Sequence, residues 1–251
     1  MIDLKGKIAV ITGGNSGIGY ATASKFKELG ATVVITGRNA SALDQAATEL
    51  GVHALLADQA NLKDLDQMVS QVKEKFGRVD ALFINAGVAA FAPVEHMSED
   101  QFDDVMNINF KGAFFTLQKF LPVLNDGSSV INLSSINAYT GMPNTAIYAA
   151  SKAALNSLTR TAAYELAPRR IRVNSVNPGP VNTAIFGKLG MPEQAINEFA
   201  MAMQNRIPLK RFGEPLDIAN LVAFLASDEA SFITGAEYNI DGGININPLL
   251  Q

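Results

Sequence analysis

A tyrosine and a lysine one helical turn apart form the clearest candidate for chemistry in this sequence. Three residues separate Tyr148 from Lys152, so on a helix the phenol and the ammonium share one face. A neighbouring cation favours the phenolate and lowers a tyrosine pKa from about 10 towards the working range. None of the other four tyrosines has a lysine four residues ahead. The pair is therefore the first candidate for proton chemistry in this chain.

Two further polar groups are predicted to join this pair. Ser135, preceded by Ser134, closes a strand-like run thirteen residues before the tyrosine, and Asn109 lies in the helical segment upstream. The carboxyl ends of parallel strands line the ligand crevice of an open α/β sheet. The hydroxyl, the phenol and the ammonium should converge there, in a site without His or Cys.

A glycine-rich turn between the first predicted strand and the first predicted helix offers a place for a dinucleotide. Glycine lets a pyrophosphate approach the backbone, and a helix N-terminus presents free N–H groups to it. The Gly-x-x-x-Gly-x-Gly spacing is weak alone, but its place between strand and helix favours phosphate binding over a plain turn. The predicted contacts are Gly13, Asn15, Ser16, Gly17, Ile18 and Gly19.

The residues after the second predicted strand bear on cofactor choice. This stretch reads Gly37-Arg38-Asn39, with no acid before Asp44. An NAD site usually places a carboxylate here for the ribose 2′-hydroxyl, whereas an arginine can pair with the 2′-phosphate of NADP. NADP(H) is therefore favoured and NAD(H) stays possible, the alternative for Arg38 being a solvated surface charge.

The ends of the third and fourth predicted strands supply further cofactor contacts. Asp58, with Gln59 beside it, is placed to hydrogen-bond adenine, although a helix N-cap is the alternative for the aspartate. Asn85-Ala86-Gly87 ends the fourth strand, where a small, open backbone would pass beneath the cofactor.

Composition excludes several classes of protein. The 251 residues are 48% hydrophobic and 18% charged, which excludes intrinsic disorder. Twenty basic against 24 acidic residues give a net charge of −4, so no nucleic-acid partner is expected. There is no Cys, and His53 and His96 lack metal-ligand spacing, so no metal is expected. With no bilayer-length apolar segment and no signal peptide visible, a cytoplasmic protein off the membrane is expected.

Seven short β-branched runs alternate with longer amphipathic segments. Predicted strands cover 7–12, 31–36, 52–57, 80–85, 129–134, 172–176 and 237–240. Predicted helices include a stripe from Ile18 to Leu29 and the segments 41–50, 62–76, 98–124 and 148–167. Most strands are continuous apolar runs, as a sheet covered on both faces requires. The alternation predicts one domain over 1–251 with a doubly wound α/β fold, helices lying on both faces of a parallel sheet.

The segment 184–215, before the last strand, is predicted to be a substrate loop or lid, because long connections are commonly functional. One more surface helix is the alternative. An apolar, adaptable pocket is suggested by Ile185, Phe186, Leu189, Met191, Phe199, Met201 and Met203.

Seven motifs, in order and across almost the whole chain, resemble those of the short-chain dehydrogenase/reductase family. They are Thr12-Gly13-x-x-x-Gly17-x-Gly19, Asn85-Ala86-Gly87, Asn109-x-x-Gly112, Ser135, Tyr148-x-x-x-Lys152, Pro178-Gly179-x-x-x-Thr183 and Asp241-Gly242-Gly243. The resemblance implies a seven-stranded Rossmann fold, usually tetrameric, that reduces carbonyls or oxidises alcohols with NAD(P). Two departures are Ile84, where an Asn is common, and the lack of a basic residue before Gly17, one of two usual NADP markers.

The resemblance also implies a role for each site residue. Tyr148 would be the acid/base, Ser135 would orient the carbonyl oxygen, and Lys152 would bind the nicotinamide ribose and lower the tyrosine pKa. Asn109 would hold a water that links the lysine to solvent. Thr183 would hold the carboxamide, and the neighbouring cofactor contacts would be Pro178, Gly179 and Val181.

The predicted function is hydride transfer between a nicotinamide cofactor and a ketone or secondary alcohol. Alternatives are a 3-oxoacyl thioester reductase, a sugar or steroid dehydrogenase of the same family, a non-catalytic nucleotide-sensing protein, and a structural or interaction protein. A serine hydrolase is excluded because the chain lacks a G-x-S-x-G elbow and a paired histidine. The expected partners are a small carbonyl or alcohol substrate and identical subunits in a homotetramer.

Overall fold

Seven strands form one parallel sheet in the computed structural model, which describes residues 2–183 and 193–246. The strand order is β3-β2-β1-β4-β5-β6-β7, and every neighbouring pair is parallel. The strands are β1 Ile8–Thr12, β2 Thr32–Gly37, β3 His53–Leu56, β4 Val79–Ile84, β5 Leu124–Leu133, β6 Arg172–Pro178 and β7 Glu237–Ile240. The order reverses between β1 and β4, which opens a crevice at their carboxyl ends.

Helices cover both faces of the sheet and bury a separate apolar cluster on each. They are α1 Gly17–Glu28, α2 Ala40–Leu50, α3 Leu62–Phe76, α4 Glu99–Met106, α5 Ala113–Phe120, α6 Ala146–Leu166, α7 Glu193–Arg206 and α8 Pro215–Ala226. Alternate β1 residues show the division, since Val10 belongs to one cluster and Ile11 to the other. The predicted doubly wound Rossmann fold is therefore confirmed. Within the described ranges, no helix has the length and apolar content needed to cross a bilayer.

The predicted helix over 98–124 is a composite, and its last residue belongs to a strand. A six-residue π-helical segment, Asn107–Gly112, separates α4 from α5. Strand β5 begins at Leu124, earlier than predicted, because Val79 pairs with Leu124 before the register shifts.

Helix α8 was absent from the sequence-based prediction. Its sequence, PLDIANLVAFLA, is apolar on most sides, so it shows no clear amphipathic stripe. Glu214 and Asp217 form a capping box at its start.

The predicted substrate loop 184–215 contains helix α7, Glu193–Arg206. Residues 184–192 lie outside the described residues, and so do the predicted pocket residues Ile185, Phe186, Leu189 and Met191. The side chain of Phe199 also lies outside the description.

Candidate active site

The end of β4 is bonded directly to the glycine-rich turn after β1. The Asn85 side-chain amide donates to the carbonyl oxygens of Thr12 and Gly13, at 2.8 and 2.9 Å. In return, the Thr12 hydroxyl oxygen accepts from the backbone N–H groups of Asn85 and Ala86, each at 3.0 Å. These four bonds explain the Asn85-Ala86 motif and give Thr12 a role that sequence reasoning missed.

Gly19 allows α1 to begin directly against this turn. A Cβ on Gly19 would lie 2.2 Å from the Gly13 carbonyl oxygen and 2.6 Å from the Asn85 amide nitrogen. Gly13 itself has φ +64 and would place a Cβ 2.9 Å from the Ala86 Cα. The glycine-rich turn, the end of β4 and the start of α1 therefore pack so closely that no further side chain fits between them.

We expect Gly19→Ala to weaken cofactor binding by roughly tenfold or more, because about 1–3 kcal/mol of overpacking must be relieved by moving the turn. The measurement is the dissociation constant for NADPH, with the melting temperature of the free protein alongside. Gly141→Ala is the control, since nothing lies within 4 Å of its added Cβ. Equal affinities in the two variants would contradict the expectation.

Four further residues that were predicted to contact the cofactor lie around the same turn. The Thr183 side chain lies 3.6 Å from the position of a Cβ on Gly17, so the two face each other. A Cβ on Gly37 would lie 2.8 Å from Asn15 Oδ1, so the Asn15 side chain lies beside the end of β2. Ser16 is the exposed residue preceding α1, and Ile18 lies in its first turn.

The end of β2 carries one exposed cation. Arg38 is exposed, and no carboxylate of the described residues forms an ion pair with it. Asn39 caps α2, its side chain accepting from the Ala42 N–H at 3.0 Å. Arg38 is thus free to meet an anion.

Asp58 is not the N-cap of α3, because that position belongs to Asn61. The Asp58 carboxylate accepts from the Ala60 N–H at 2.9 Å, while its own N–H donates to Asp64 at 3.0 Å. The helix-cap alternative is therefore wrong, and the half-buried aspartate stays at the crevice edge.

Gln59 ties the cofactor crevice to the helix that carries Asn109. Its buried side chain donates to the carbonyl oxygens of Ala86 and Ile108, each at 3.0 Å. Gly112 makes the approach possible, since a Cβ there would lie 2.4 Å from the Gln59 carbonyl oxygen. The glycine of the Asn109-x-x-Gly112 motif thus has a packing role.

Asn109 is held in the π-helical segment with its side chain fully engaged. Its Oδ1 accepts from the Val88 N–H at 2.8 Å, and its Nδ2 donates to the Val88 carbonyl at 2.8 Å and the Ser151 hydroxyl at 3.1 Å. A Cβ on Gly87 would lie 3.2 Å from Asn109 Oδ1 and 3.5 Å from Lys152 Nζ. Asn109, Gly87 and Lys152 therefore meet at one point.

The Tyr148 and Lys152 side chains lie together near the start of α6. The Lys152 ammonium lies 5.7 Å from the centre of the Tyr148 ring and donates to the Leu133 carbonyl at 2.7 Å. The Ser134 hydroxyl donates to the Lys152 carbonyl at 2.9 Å, a tie that the sequence did not reveal. Ser135, in extended backbone with φ −164, is buried, and its hydroxyl interacts with the phenol so as to lower the pKa of Tyr148.

Burial shifts the pKa values of both groups away from their charged forms. Burial raises the pKa of Tyr148, and the hydrogen bond with Ser135 opposes this only in part. Burial also lowers the pKa of Lys152, which is 3% exposed, to about 8. The predicted net lowering of the tyrosine pKa is therefore wrong, since desolvation of the phenol outweighs the contact that favours the phenolate.

The last two family-like motifs contact each other at the ends of β6 and β7. A Cβ on Gly179 would lie 2.8 Å from the Asp241 Cα, and the Asp241 carboxylate accepts from the Gly243 N–H at 2.8 Å. The Gly179 N–H donates to the Ile240 carbonyl at 3.0 Å. Buried Val181 bridges to Gly213 just beyond this point. The contact holds the segment that leads to Thr183.

Neither histidine is placed as a ligand. His53 packs edge-on against Phe76 with ring centres 4.9 Å apart, and His96 lies 3.5 Å from the Glu95 carboxylate. Across residues 2–183 and 193–246, no three His, Asp or Glu side chains are grouped as metal ligands.

The sequence of this chain is similar to those of known proteins. A family profile described as Enoyl-(Acyl carrier protein) reductase matches residues 13–245. A 3-oxoacyl-(acyl-carrier-protein) reductase from Thermotoga maritima is 41% identical over 250 residues, covering 97% of this chain and 99% of the relative. The chain belongs to the short-chain dehydrogenase/reductase family. It is therefore an oxidoreductase.

Other members of the short-chain dehydrogenase/reductase family are similar over the same span. An NADP-dependent (R)-specific alcohol dehydrogenase from Lentilactobacillus kefiri is 36% identical over 249 residues, covering 96% of this chain and 97% of the relative. A solved dehydrogenase/reductase structure from Sinorhizobium meliloti gives a TM-score of 0.90 at 36% identity, covering 98% of this chain and 97% of that chain. The names of these relatives point to different substrates.

Of the two departures from the family pattern, Ile84 has a clear structural setting. It is buried at the end of β4 and belongs to the apolar cluster on one face of the sheet. The other departure leaves Arg38 as the candidate cation for NADP in this short-chain dehydrogenase/reductase.

Proposed function

We propose that this chain is an NADP-preferring reductase that interconverts a ketone and a secondary alcohol. The observation that carries the proposal is the buried Lys152 ammonium 5.7 Å from the centre of the Tyr148 ring, with the buried Ser135 hydroxyl beside the same phenol. This group lies where β5 ends, at the edge of the sheet where the strand order reverses.

The chain's own residues fit a nicotinamide dinucleotide. The turn around Gly13 and Gly19 leaves no room for side chains, which suits close approach of a pyrophosphate to backbone N–H groups. Exposed Arg38 suits a 2′-phosphate, and no carboxylate stands where an NAD site needs one. The bound cofactor would supply the hydride in reduction and accept it in oxidation.

Protein side chains would handle the oxygen and its proton. In reduction, Ser135 and Tyr148 would donate hydrogen bonds to the carbonyl oxygen, stabilising the negative charge that develops there. The Tyr148 proton would pass to that oxygen and leave a phenolate, which the Lys152 ammonium stabilises. In oxidation, the phenolate would take the proton back from the alcohol.

Lys152 and Asn109 would support this proton transfer. We propose that the lysine also binds the nicotinamide ribose and that Asn109 holds a water between the lysine and solvent. The Asn109 side chain is engaged by Val88 and Ser151, so such a water would bind the main chain of this segment.

The proposal is tested by following NADPH and NADH consumption against a panel of aliphatic and aryl ketones. We expect turnover with at least one ketone and faster turnover with NADPH. Tight binding of NADPH without turnover on any carbonyl would instead favour a nucleotide-sensing protein.

A 3-oxoacyl thioester is a second candidate substrate. It is favoured by the Thermotoga maritima relative and by the description of the matched family, both of which name acyl-carrier-protein substrates. Adding a 3-oxoacyl thioester to the same panel compares the two candidates directly.

Arg38→Ala should weaken NADPH binding by about 10- to 100-fold, because a charged hydrogen bond contributes about 1.5–3 kcal/mol. NADH binding should hardly change, since NADH has no 2′-phosphate. Titration of each cofactor against the wild type and the variant gives the four dissociation constants.

The control is Lys75→Ala, which removes an exposed charge from the last turn of α3. We expect both of its cofactor affinities to match the wild type. Equal losses for NADPH and NADH in Arg38→Ala, or no loss for either, would make Arg38 a surface charge and favour NAD.

We further propose a homotetramer and a substrate-facing role for 184–215. Two exposed aromatic side chains, Phe102 on α4 and Phe114 on α5, are available for contacts between subunits. In the loop, Met201 is exposed and Met203 half-buried on α7, which leaves apolar, adaptable side chains accessible. Light scattering in solution measures the assembly directly.

A further inference from the structure

The turn that follows Ser135 ends at a tyrosine with an unusual arrangement. Tyr139 is 53% exposed, yet its hydroxyl hydrogen-bonds three other side chains. A tyrosine near a surface usually buries its ring and leaves the hydroxyl in water. Burial of the ring therefore does not explain the position of Tyr139. The hydrogen-bond partners of its hydroxyl do.

Those partners come from three different elements. The Tyr139 hydroxyl accepts from the side-chain amides of Asn156 on α6, at 3.0 Å, and Asn177 on β6, at 3.2 Å, both almost fully buried. It donates to the carboxylate of Glu237, the first residue of β7. Glu237 also forms an ion pair with Arg160 on α6. One hydroxyl thus joins a helix and two strands.

The chain between Ser135 and Tyr139 is a short turn closed by its own hydrogen bonds. The Ser135 hydroxyl oxygen accepts from the Asn137 N–H at 3.1 Å, and its carbonyl accepts from the Ala138 N–H at 3.0 Å. The Tyr139 N–H donates to the Ile136 carbonyl at 2.9 Å. These bonds link the serine to the tyrosine through one short turn, so we expect a displacement of the tyrosine to be passed on to the serine.

The same hydroxyl binds the helix face that carries the acid/base. Tyr148, Lys152 and Asn156 are spaced by four residues along α6 and share one face. We propose that Tyr139 is a positioning residue, which holds the Ser135 hydroxyl at the Tyr148 phenol by fixing the turn against this helix. The inference rests on the function proposed above, because Ser135 and Tyr148 are its reacting pair.

This role has a measurable consequence for proton transfer. The hydrogen bond with Ser135 lowers the pKa of Tyr148 against the effect of burial, so a displaced Ser135 should let that pKa rise. The charged groups around the two tyrosines, Lys152 on one side and Glu237 with Arg160 on the other, stay in place when only the Tyr139 hydroxyl is removed. The change in pH dependence then reports the Ser135 contact. 

Tyr139→Phe removes the hydroxyl and keeps the ring. We expect kcat to fall on the order of tenfold, as small misplacements of reacting groups commonly cost this much or more. The basic limb of alcohol oxidation should move to higher pH, while the dissociation constant for NADPH stays unchanged. Tyr164→Phe is the matched control and should equal the wild type, because this tyrosine, near the end of α6, is 86% exposed.

Two further variants identify the route of the effect. On a Ser135→Ala background, Tyr139→Phe should cause no further loss in kcat, because the group through which it acts is gone. Glu237→Gln keeps an acceptor for the hydroxyl but loses the charge, so its shift should have the same direction and a smaller size.

A lower melting temperature in Tyr139→Phe with kcat and pH dependence unmoved would show that the network only stabilises the fold. Full additivity with Ser135→Ala would equally overturn the inference. A wild type inactive on every carbonyl would contradict the proposed function and this inference together, whereas an active wild type with an unshifted variant contradicts this inference alone.

Discussion

Tyr148→Phe should lower kcat by about 10²–10⁴-fold, the usual contribution of a general acid or base. The variant keeps the aromatic ring and most of its packing, so the fold and NADPH affinity should survive. What it loses is the only proton that the proposed mechanism delivers to the carbonyl oxygen, because neither His nor Cys stands at this site to replace it. Steady-state ketone reduction at saturating NADPH measures the loss.

The pH dependence of alcohol oxidation by the wild type provides a second test of the role of Tyr148. Alcohol oxidation needs the phenolate, and burial raises the pKa of Tyr148. The rate of oxidation should therefore increase with pH into the alkaline range, and Tyr148→Phe should abolish that dependence. Tyr164→Phe again serves as the control. Near-full activity in Tyr148→Phe would refute the assignment, whatever the family resemblance implies.

Most strands were predictable from the sequence, because strands that are covered on both faces of a sheet consist of continuous apolar runs. The predicted limits of β7 agree fully with the structure, and those of β1 differ by one residue. Helix α8 escaped detection because an evenly apolar helix has no stripe. The π-helical segment Asn107–Gly112 was also missed, and Gln59, which packs against its last residue, is distant in the sequence.

The candidate site shows the same limit. Spacing alone placed Tyr148 and Lys152 on one helix face, and the structure brings them together. The direction of the tyrosine pKa was wrong because burial depends on packing across several elements, which a local pattern does not contain. Ser134 and Tyr139 were overlooked for a similar reason, as their partners lie far along the chain.

Lys152→Ala should have the other large effect, because one ammonium serves two tasks. Loss of the hydrogen bonds that we propose it donates to the ribose should weaken cofactor binding by about 10- to 100-fold. Loss of the cation beside the phenolate should reduce kcat as well, so kcat/KM should fall on the order of 10³-fold or more. Lys111→Ala, which removes an exposed lysine from the π-helical segment, is the matched control and should be near wild type.

The two tasks separate by their pH dependence. Burial lowers the pKa of Lys152 to about 8, so the ammonium persists below that pH and is lost above it. Wild-type affinity for NADPH should therefore weaken as the pH rises through about 8, and Lys152→Ala should lack this step. At saturating cofactor, the basic limb of alcohol oxidation should move to higher pH in the variant. A phenolate that forms beside Lys152 keeps that amine charged, and without the cation the phenolate is harder to form. An affinity that falls while the oxidation limb stays in place would make Lys152 a ribose anchor alone, and Ser135 would then be the group that tunes Tyr148.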